Sequence, residues 1–295
     1  MRAAVVTEFG GPEAVRVVDA AAPEPGARQV RIKVVAAALN PVDAGVRAGV
    51  FGGAGARIGL GWDVAGTVDA VGVASAWNVG DEVVALVYGT AKPLGTHAEY
   101  VVVDADAVAK APGSVDAVHA ATLPLNALTA AQALDLLGLR PGQSLLVTGA
   151  AGAVGGYAVQ LAAHQGFAVT GLARAGDEEL VRSLGASDFV TDGVAGGFDA
   201  VLDTAVLGEP ALAWVRDEGA YAGVIPQAQP ASVRGVRTAA VEVGADGARL
   251  AELAQLLDEG VLSTRVAEVF ALDDVVKAHA RLAEGGVRGR LVLVP

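Results

Sequence analysis

A run of small residues in the middle of the chain carries the clearest chemical signal. The apolar stretch 144–148 leads into Gly149, two alanines and Gly152, and a helical pattern begins at Ala153. Glycines at such a turn let the backbone approach a pyrophosphate, and the start of the helix offers N–H groups and a partial positive charge. The pattern predicts a dinucleotide-binding turn; the alternative is an ordinary tight turn that binds no ligand.

The end of the next predicted strand indicates which dinucleotide binds. An NAD site requires Asp or Glu there, to bind the ribose 2′-hydroxyl. Ala173 holds that place in this chain, and Arg174 follows it. A guanidinium can pair with a 2′-phosphate, which a carboxylate would repel, so the sequence predicts NADPH. The alternative for Arg174 is a solvated loop residue.

Other chemistries lack the residues that they need. The chain has no Cys, which excludes thiolate catalysis, and its four His have no ligand spacing, so the sequence predicts no metal site. Ser144 and Ser183 lack the setting of a nucleophile elbow. Tyr88 and Lys92 have the Tyr-x-x-x-Lys spacing of short-chain dehydrogenases, but they precede the glycine turn in a loop-like stretch, and we do not assign them that role.

Charge and hydropathy narrow the range of partners. The formal net charge of −12 opposes binding to nucleic acid or to an anionic membrane surface. Residues 141–173 carry no charged side chain, but glycines interrupt them, so no membrane span is predicted. With 53% hydrophobic residues the chain can bury a substantial core. The sequence therefore predicts a soluble, cytoplasmic protein that binds small molecules.

The pattern of apolar residues divides the chain near residue 115. Before it, alternating or β-branched runs predict strands, with a glycine-rich loop at 49–61. These strands are 3–7, 15–20, 29–38, 65–71, 82–87 and 98–103. After it, short strands alternate with helices, which predicts a doubly wound parallel sheet.

The second part continues this alternation to its end. Its strands are 144–148, 168–173, 189–190, 200–203, 220–224 and 237–242, and its helices are 116–137 (interrupted by Pro124), 153–165, 177–184 and 210–217. The chain then closes with helix 248–259, strand 266–270, helix 272–284 and strand 290–294. The simplest layout is a β-rich domain, 1–118, completed by 261–295, with a nucleotide-binding domain, 119–260, inserted between them.

Short motifs along the whole chain match one known family in order. They are MRAAVV at the start, ALNPVD at 38–43, GWDVAGTV at 61–68, VGDEV at 79–83, AEYV at 98–101, LPLNALTA at 123–130, the glycine turn, LGA at 184–186 and GRLVL at 289–293. In these motifs the chain resembles the zinc-independent quinone oxidoreductase branch of the medium-chain dehydrogenase/reductase superfamily. The resemblance implies an α/β protein in which a GroES-like β-rich catalytic domain holds the substrate and a Rossmann domain with a doubly wound parallel sheet holds NADPH. It also implies a homodimer.

The resemblance further assigns roles to single residues. Asn40 would bind the nicotinamide end of the cofactor and Asp43 would shape the same pocket, which makes these two the candidate catalytic residues. The other candidates for binding the cofactor are Thr129, Gly149, Gly152, Ala153, Val154, Arg174, Thr204, Gly223 and Arg290. The alternatives are an Asx turn before Pro41 for Asn40 and a structural cap for Asp43. Zinc-dependent relatives carry Cys and Gly-His-Glu where this chain has Leu39-Asn40 and Gly61-Trp62-Asp63.

The implied activity is the NADPH-dependent reduction of a quinone or an α,β-unsaturated carbonyl. Two alternatives stay open. One is a biosynthetic reductase of a dedicated enone or enoyl thioester on the same scaffold, and the other is an NADPH-binding structural or regulatory protein with little turnover. Departures from the family motivate the second: relatives often carry tyrosines where this chain has Gly45 and Phe51, and an aromatic residue where it has Asp192.

Overall fold

The computed structural model describes residues 1–52 and 57–295, and its contacts divide the chain into two units. The first unit comprises Met1–Leu125, Gly244–Glu259 and Thr264–Pro295, and the second comprises Asn126–Val243 and Gly260–Ser263. The sequence assigned 119–125 and 244–259 to the nucleotide-binding domain, and 261–263 to the first domain, instead. Contacts place 244–259 in the first unit, where Asp258 accepts hydrogen bonds from the N–H groups of Gly113 and Ser114.

The strands and helices alternate along the chain as follows. The strands are β1 (Arg2–Val6), β2 (Val15–Asp19), β3 (Gln29–Leu39), β4 (Ile58–Gly59), β5 (Asp63–Val71), β6 (Glu82–Leu86), β7 (Tyr100–Asp104), β8 (Val108–Lys110), β9 (Ser144–Thr148), β10 (Ala168–Leu172), β11 (Asp188–Val190), β12 (Phe198–Asp203), β13 (Val215–Gly223), β14 (Arg237–Ala240), β15 (Val266–Ala271) and β16 (Arg290–Val294). The α-helices are α1 (Pro41–Arg47), α2 (Ala117–Ala120), α3 (Pro124–Leu137), α4 (Ala153–His164), α5 (Glu178–Ser183), α6 (Gly247–Asp258) and α7 (Val275–Ala283).

The first unit is built on two sheets that are mostly antiparallel. One has the order β2-β1-β4, and the other has the order β15-β16-β3-β5-β6-β8, with β7 also paired to β3. Along β3 the buried Val30, Ile32 and Val34 alternate with more exposed residues, as one buried face of a sheet requires. The end of β3 pairs with the last strand, where Leu39 lies opposite Leu291.

The second unit contains one parallel sheet with the order β11-β10-β9-β12-β13-β14. Chain order reverses direction between β9 and β12, and at such a switch point the carboxyl ends of the strands leave a crevice for a ligand. The doubly wound sheet and the β-rich domain confirm the predicted fold class. In the part of the chain that the structure describes, no helix combines the length and apolar character that crossing a membrane requires.

The structure differs locally from the predicted elements. The predicted helix 210–217 is wrong at its end, because a 3-10 helix covers Glu209–Trp214 and Val215 already belongs to β13, where it is buried and pairs with Phe198. Helix α1 was not predicted, although its first residue is a proline. The predicted loop 49–61 includes 53–56, which lie outside the described residues, and β4 occupies part of the remainder.

Candidate active site

The glycine turn has the backbone geometry of a tight passage from strand to helix. Gly149 follows β9 with a φ of +61°, a conformation that side chains disfavour. A Cβ on Gly155 would collide with the Gly149 carbonyl oxygen, so a glycine is also required one turn into α4. Gly152 is the N-cap of α4 and is exposed, whereas Gly155 is buried. The first N–H groups of α4, beginning at Ala153, have no carbonyl partner within the helix and lie at its accessible end.

A network of hydrogen bonds among buried polar groups stabilises this turn. The Thr148 hydroxyl donates to the Asp203 carboxylate at 2.6 Å, and Asp203 also accepts from the Tyr221 hydroxyl and the Gly208 N–H, both at 2.8 Å. The Thr204 hydroxyl donates to the Thr148 carbonyl at 2.5 Å. Burial and the bond to Asp203 raise the pKa of Tyr221, which therefore stays protonated and keeps donating. Of these residues, sequence reasoning singled out only Thr204.

Several predicted cofactor residues meet at the carboxyl edge of this sheet. In the strand register Thr148 lies beside Leu172 and Asp203, and Asp203 lies beside Gly223. The turn after β9, Arg174 after β10, Thr204 after β12 and Gly223 at the end of β13 therefore share one edge. Thr129 is buried in α3 of the same unit.

Arg174 is an exposed residue just past the end of β10. Within the ranges that the structure describes, its guanidinium has no hydrogen-bond or ion-pair partner. The neighbouring cation Arg182 is already engaged, because it pairs with Glu178 at 2.8 Å and donates to the Ser187 carbonyl at 3.3 Å. A cation without a protein partner beside a glycine turn fits a 2′-phosphate, and Ala173 adds no negative charge against it.

In the first unit, Asn40 and Asp43 form one hydrogen-bonded group with Gly61 and Asp63. Asn40 is the N-cap of α1, and its N–H donates to the Asp43 carboxylate at 2.9 Å. Asp43 also accepts from the Gly61 N–H at 2.8 Å. The Asn40 side-chain amide donates to Asp63 at 2.6 Å. The alternative of a structural cap for Asp43 is therefore realised at the Asn40 backbone, while the hydrogen bond to Asp63 holds the Asn40 side chain.

Asp63 is the part of this group to which the sequence assigned no role; it was named only as standing where zinc-dependent relatives carry Gly-His-Glu. Its side chain is fully buried and also accepts from the Leu125 N–H at 2.5 Å. Burial raises the pKa of Asp63 to about 7; the hydrogen bonds from Leu125 and Asn40 and the positive charge of Arg290 limit that rise, while the nearby charge of Asp43 adds to it. The sequence does carry one signal for Asp63: it is a charged residue at the first position of the otherwise mostly apolar strand β5.

An aromatic and a cationic side chain flank the same segment. The Tyr88 ring meets Trp62 edge-on, with ring centroids 5.3 Å apart. The Lys92 ammonium lies 4.6 Å from the centre of the Trp62 ring. Nearby, a Cβ on Gly45 would lie 3.0 Å from the Phe51 ring, so the phenylalanine covers the space beside Gly45.

Known proteins match this chain along its whole length. A family model described as "Alcohol dehydrogenase GroES-like domain" matches residues 26–113, and one described as "Zinc-binding dehydrogenase" matches residues 175–293. The 2-methylene-furan-3-one reductase of Solanum lycopersicum is 33% identical over 313 residues, covering 100% of this chain and 79% of its own length. The chloroplastic NADPH-dependent alkenal/one oxidoreductase of Arabidopsis thaliana is also 33% identical, covering 100% and 80%.

The solved structures agree with the sequence relatives. The quinone oxidoreductase from Coxiella burnetii matches with a TM-score of 0.91 at 28% identity, covering 100% of this chain and 99% of its own. The chain belongs to the zinc-independent quinone oxidoreductase branch of the medium-chain dehydrogenase/reductase superfamily. The resemblance drawn from the motifs is thereby confirmed.

One family model names zinc, and this member of the branch carries different groups at the corresponding place. The chain offers no cysteine thiolate. Among residues 1–52 and 57–295, no group of three or more His, Asp or Glu side chains could hold a metal ion. Where zinc-dependent relatives have ligands, Asn40 and Asp63 are hydrogen-bonded to each other. Their polar atoms serve to orient one another.

Proposed function

We propose that this protein is an NADPH-dependent reductase of quinones or α,β-unsaturated carbonyls. The observation that carries the proposal is the carboxyl edge of the second unit's sheet, where a glycine turn, an accessible helix start and the unpartnered Arg174 lie together. The names of the Solanum and Arabidopsis relatives describe reductases of conjugated carbonyls, which supports the substrate class.

The residues at this edge suit a dinucleotide that carries a 2′-phosphate. The backbone at Gly152, Ala153 and Val154 would bind the pyrophosphate, and Arg174 would pair with the 2′-phosphate. Thr129, Gly149, Thr204 and Gly223 would line the remainder of the cofactor. When bound, NADPH supplies the hydride, and the protein supplies binding and orientation.

The residues of the first unit would orient the reacting end. We assign Asn40 to bind the nicotinamide carboxamide, with Asp63 holding its side chain and Asp43 holding its backbone N–H. Arg290 begins β16 and acts electrostatically on Asp63. Since neither Gly45 nor Phe51 carries a hydroxyl, we expect solvent or a ribose hydroxyl of the cofactor to supply the proton that completes the reduction.

We also propose a homodimer, following the family. Strand β14 is the last strand of its sheet, so one side of its backbone is available for pairing. The cytoplasmic location drawn from the sequence stays a prediction.

A substrate screen with the purified full chain tests the function. NADPH oxidation is followed with a quinone, an α,β-unsaturated ketone, an enoyl thioester and a saturated ketone, with the Gly152→Val variant as control. We expect turnover with the quinone or the unsaturated ketone and none with the saturated ketone. Turnover with the thioester alone would favour the biosynthetic reductase. Tight NADPH binding without any turnover would favour a regulatory protein and would contradict the proposal.

A further inference from the structure

Lys92 is held in place at both its side chain and its backbone. Its ammonium donates to the carbonyl oxygens of Gly61 and Val87, both at 2.8 Å, and lies over the Trp62 ring. Its own carbonyl oxygen accepts from the Gly59 N–H at 2.7 Å. These contacts fix the side chain in one position beside the start of β5.

The residue that Lys92 binds belongs to the group that orients Asn40. The Gly61 carbonyl accepts from Lys92 while the Gly61 N–H donates to Asp43 at 2.8 Å. Gly61 has a φ of +96°, and a Cβ there would collide with the Thr96 hydroxyl. Glycine is therefore required at this position. Its carbonyl accepts from Lys92 and from the Thr96 N–H, at 3.3 Å, and its N–H binds Asp43, so a shift at Gly61 would move the backbone that binds Asp43.

Lys92 also interacts electrostatically with the buried acids. Burial lowers the pKa of Lys92 to about 8, and the carboxylates of Asp43 and Asp63 limit that fall. His97 also interacts electrostatically with Lys92, and burial lowers the pKa of His97, so its ring is neutral at pH 7. Arg290 adds a second positive charge near Asp63. Between about pH 7 and pH 8, where Asp63 has lost its proton and Lys92 still carries one, two cations therefore balance the two acids.

We propose that Lys92 is a positioning residue for the reduction: its ammonium fixes the backbone at Gly61 and balances Asp43 and Asp63, which together hold Asn40. The catalytic consequence rests on the proposed function, whereas the effect on Asn40 rests on the contacts alone. Removing the ammonium takes a hydrogen-bond donor from the carbonyl oxygens of Gly61 and Val87 and takes one of the two positive charges from the surroundings of the acids, so the group relaxes.

Three variants separate charge from shape. Lys92→Met keeps the length of the side chain and removes its charge, Lys92→Arg keeps the charge, and Lys33→Met changes an exposed lysine of β3 as a control. For Lys92→Met we expect kcat to fall at least about tenfold while NADPH affinity changes by less than about twofold, because orientation rather than binding is lost. Lys92→Arg should restore part of kcat, and Lys33→Met should match the wild type.

The pH profile adds a readout that a purely structural role would not move. Wild-type kcat should fall as the pH rises through about 8, where the ammonium loses its proton. In Lys92→Arg this fall should move to higher pH, because the guanidinium stays charged. If Lys92→Met does not fold, an alkaline limb unchanged in Lys92→Arg would overturn the proposal.

A measurement without turnover separates this inference from the proposed function. The side-chain amide resonance of Asn40 should shift in Lys92→Met, return towards its original position in Lys92→Arg and stay unchanged in Lys33→Met. A folded Lys92→Met protein with an unshifted Asn40 resonance would overturn the positioning role, whatever the activity. A wild-type protein that reduces neither quinones nor enones would instead refute the proposed function, and the Asn40 resonance alone would then decide.

Discussion

The Thr148 hydroxyl donates to the Asp203 carboxylate at 2.6 Å and accepts from the Ala205 N–H at 3.1 Å. The Thr148 side chain therefore links the end of β9 to the end of β12, immediately before Gly149 in the chain. Because Asp203 is fully buried, each hydrogen bond to its carboxylate replaces a contact that water would otherwise make. The shape of the glycine turn therefore depends on the hydrogen bond between Thr148 and Asp203, which the glycine motif in the sequence does not indicate.

Thr148→Val keeps the shape of the side chain and removes both hydrogen bonds. We expect it to lower the free energy of unfolding by about 1–3 kcal/mol, the cost of a buried polar group that loses a partner, and to weaken NADPH binding. Urea unfolding and a cofactor titration measure the two effects. Thr170→Val, in the neighbouring strand β10, is the matched control. An equal loss of stability and of NADPH affinity in both variants would mean that the hydrogen bonds of Thr148 do not specifically stabilise the glycine turn.

Gly152→Val should weaken NADPH binding at least about a hundredfold, or about 2.7 kcal/mol, because a β-branched side chain would enter the space in front of the helix start. The fold should survive, since the φ of Gly152 is −70° and its Cβ would approach only the Gly149 carbonyl, at 3.0 Å. Gly196→Val is a close control: that glycine is also exposed, and its Cβ would lie 3.0 Å from a carbonyl oxygen. Normal NADPH affinity in a folded Gly152→Val protein would place the phosphates elsewhere.

Arg174→Ala should erase most of a preference for NADPH over NADH. We expect at least about a tenfold preference in the wild type, because one charge-assisted contact to phosphate contributes about 1.5–3 kcal/mol. Titration of both cofactors by nicotinamide fluorescence measures it. Arg182→Ala is the control, because that guanidinium already pairs with Glu178. Equal affinities for the two cofactors in the wild type would remove the assignment of Arg174.

Asp63 should make stability depend on pH. Its folded-state pKa of about 7, against 3.8 for an ordinary Asp, means that the native protein holds an extra proton between these values. The stability from this proton is complete at low pH and is lost as the pH rises through about 7. Relative to Asp63→Asn, the wild type should therefore lose up to about 4 kcal/mol between about pH 4 and pH 8.

Urea unfolding of both proteins across this pH range tests the prediction. Asp106→Asn, at an exposed position of the first unit, is the control and should follow the wild type. Parallel pH curves for the wild type and Asp63→Asn would show that Asp63 ionises normally.

Chelation should leave the activity unchanged. The chain has no Cys, and Asn40 and Asp63 are bonded to each other where relatives place zinc ligands. After exhaustive treatment with a chelator we expect unaltered turnover, and elemental analysis should find no stoichiometric zinc. Activity that disappears on chelation and returns with added zinc would contradict this.

Local signals revealed the glycine turn and Arg174, because a strand, a turn and a helix follow one another within a short stretch of chain. The role of Asp63 could not be predicted from local sequence, because it depends on strand pairing. Strands β3 and β5 run antiparallel and bring Asp63 to Asn40. In the sequence Lys92 stood out only for its Tyr-x-x-x-Lys spacing from Tyr88. Its contacts with Gly61 and Val87 depend on the tertiary arrangement of loops, which that spacing does not predict. The helix predicted at 210–217 was wrong at its end, where short apolar spacing fits a strand equally well and β13 begins at Val215.

The pairing of Leu39 with Leu291 affects the order in which the chain can fold during synthesis. Strand β3, which leads into Asn40, gains this neighbour only after β16 has left the ribosome. Most of the second unit is one continuous stretch, Asn126–Val243, so its strands can pair before β16 is synthesised. Since distant pairings wait on loop closure, we expect a chain stalled on the ribosome before β16 to resist protease around the glycine turn while the end of β3 is still cut.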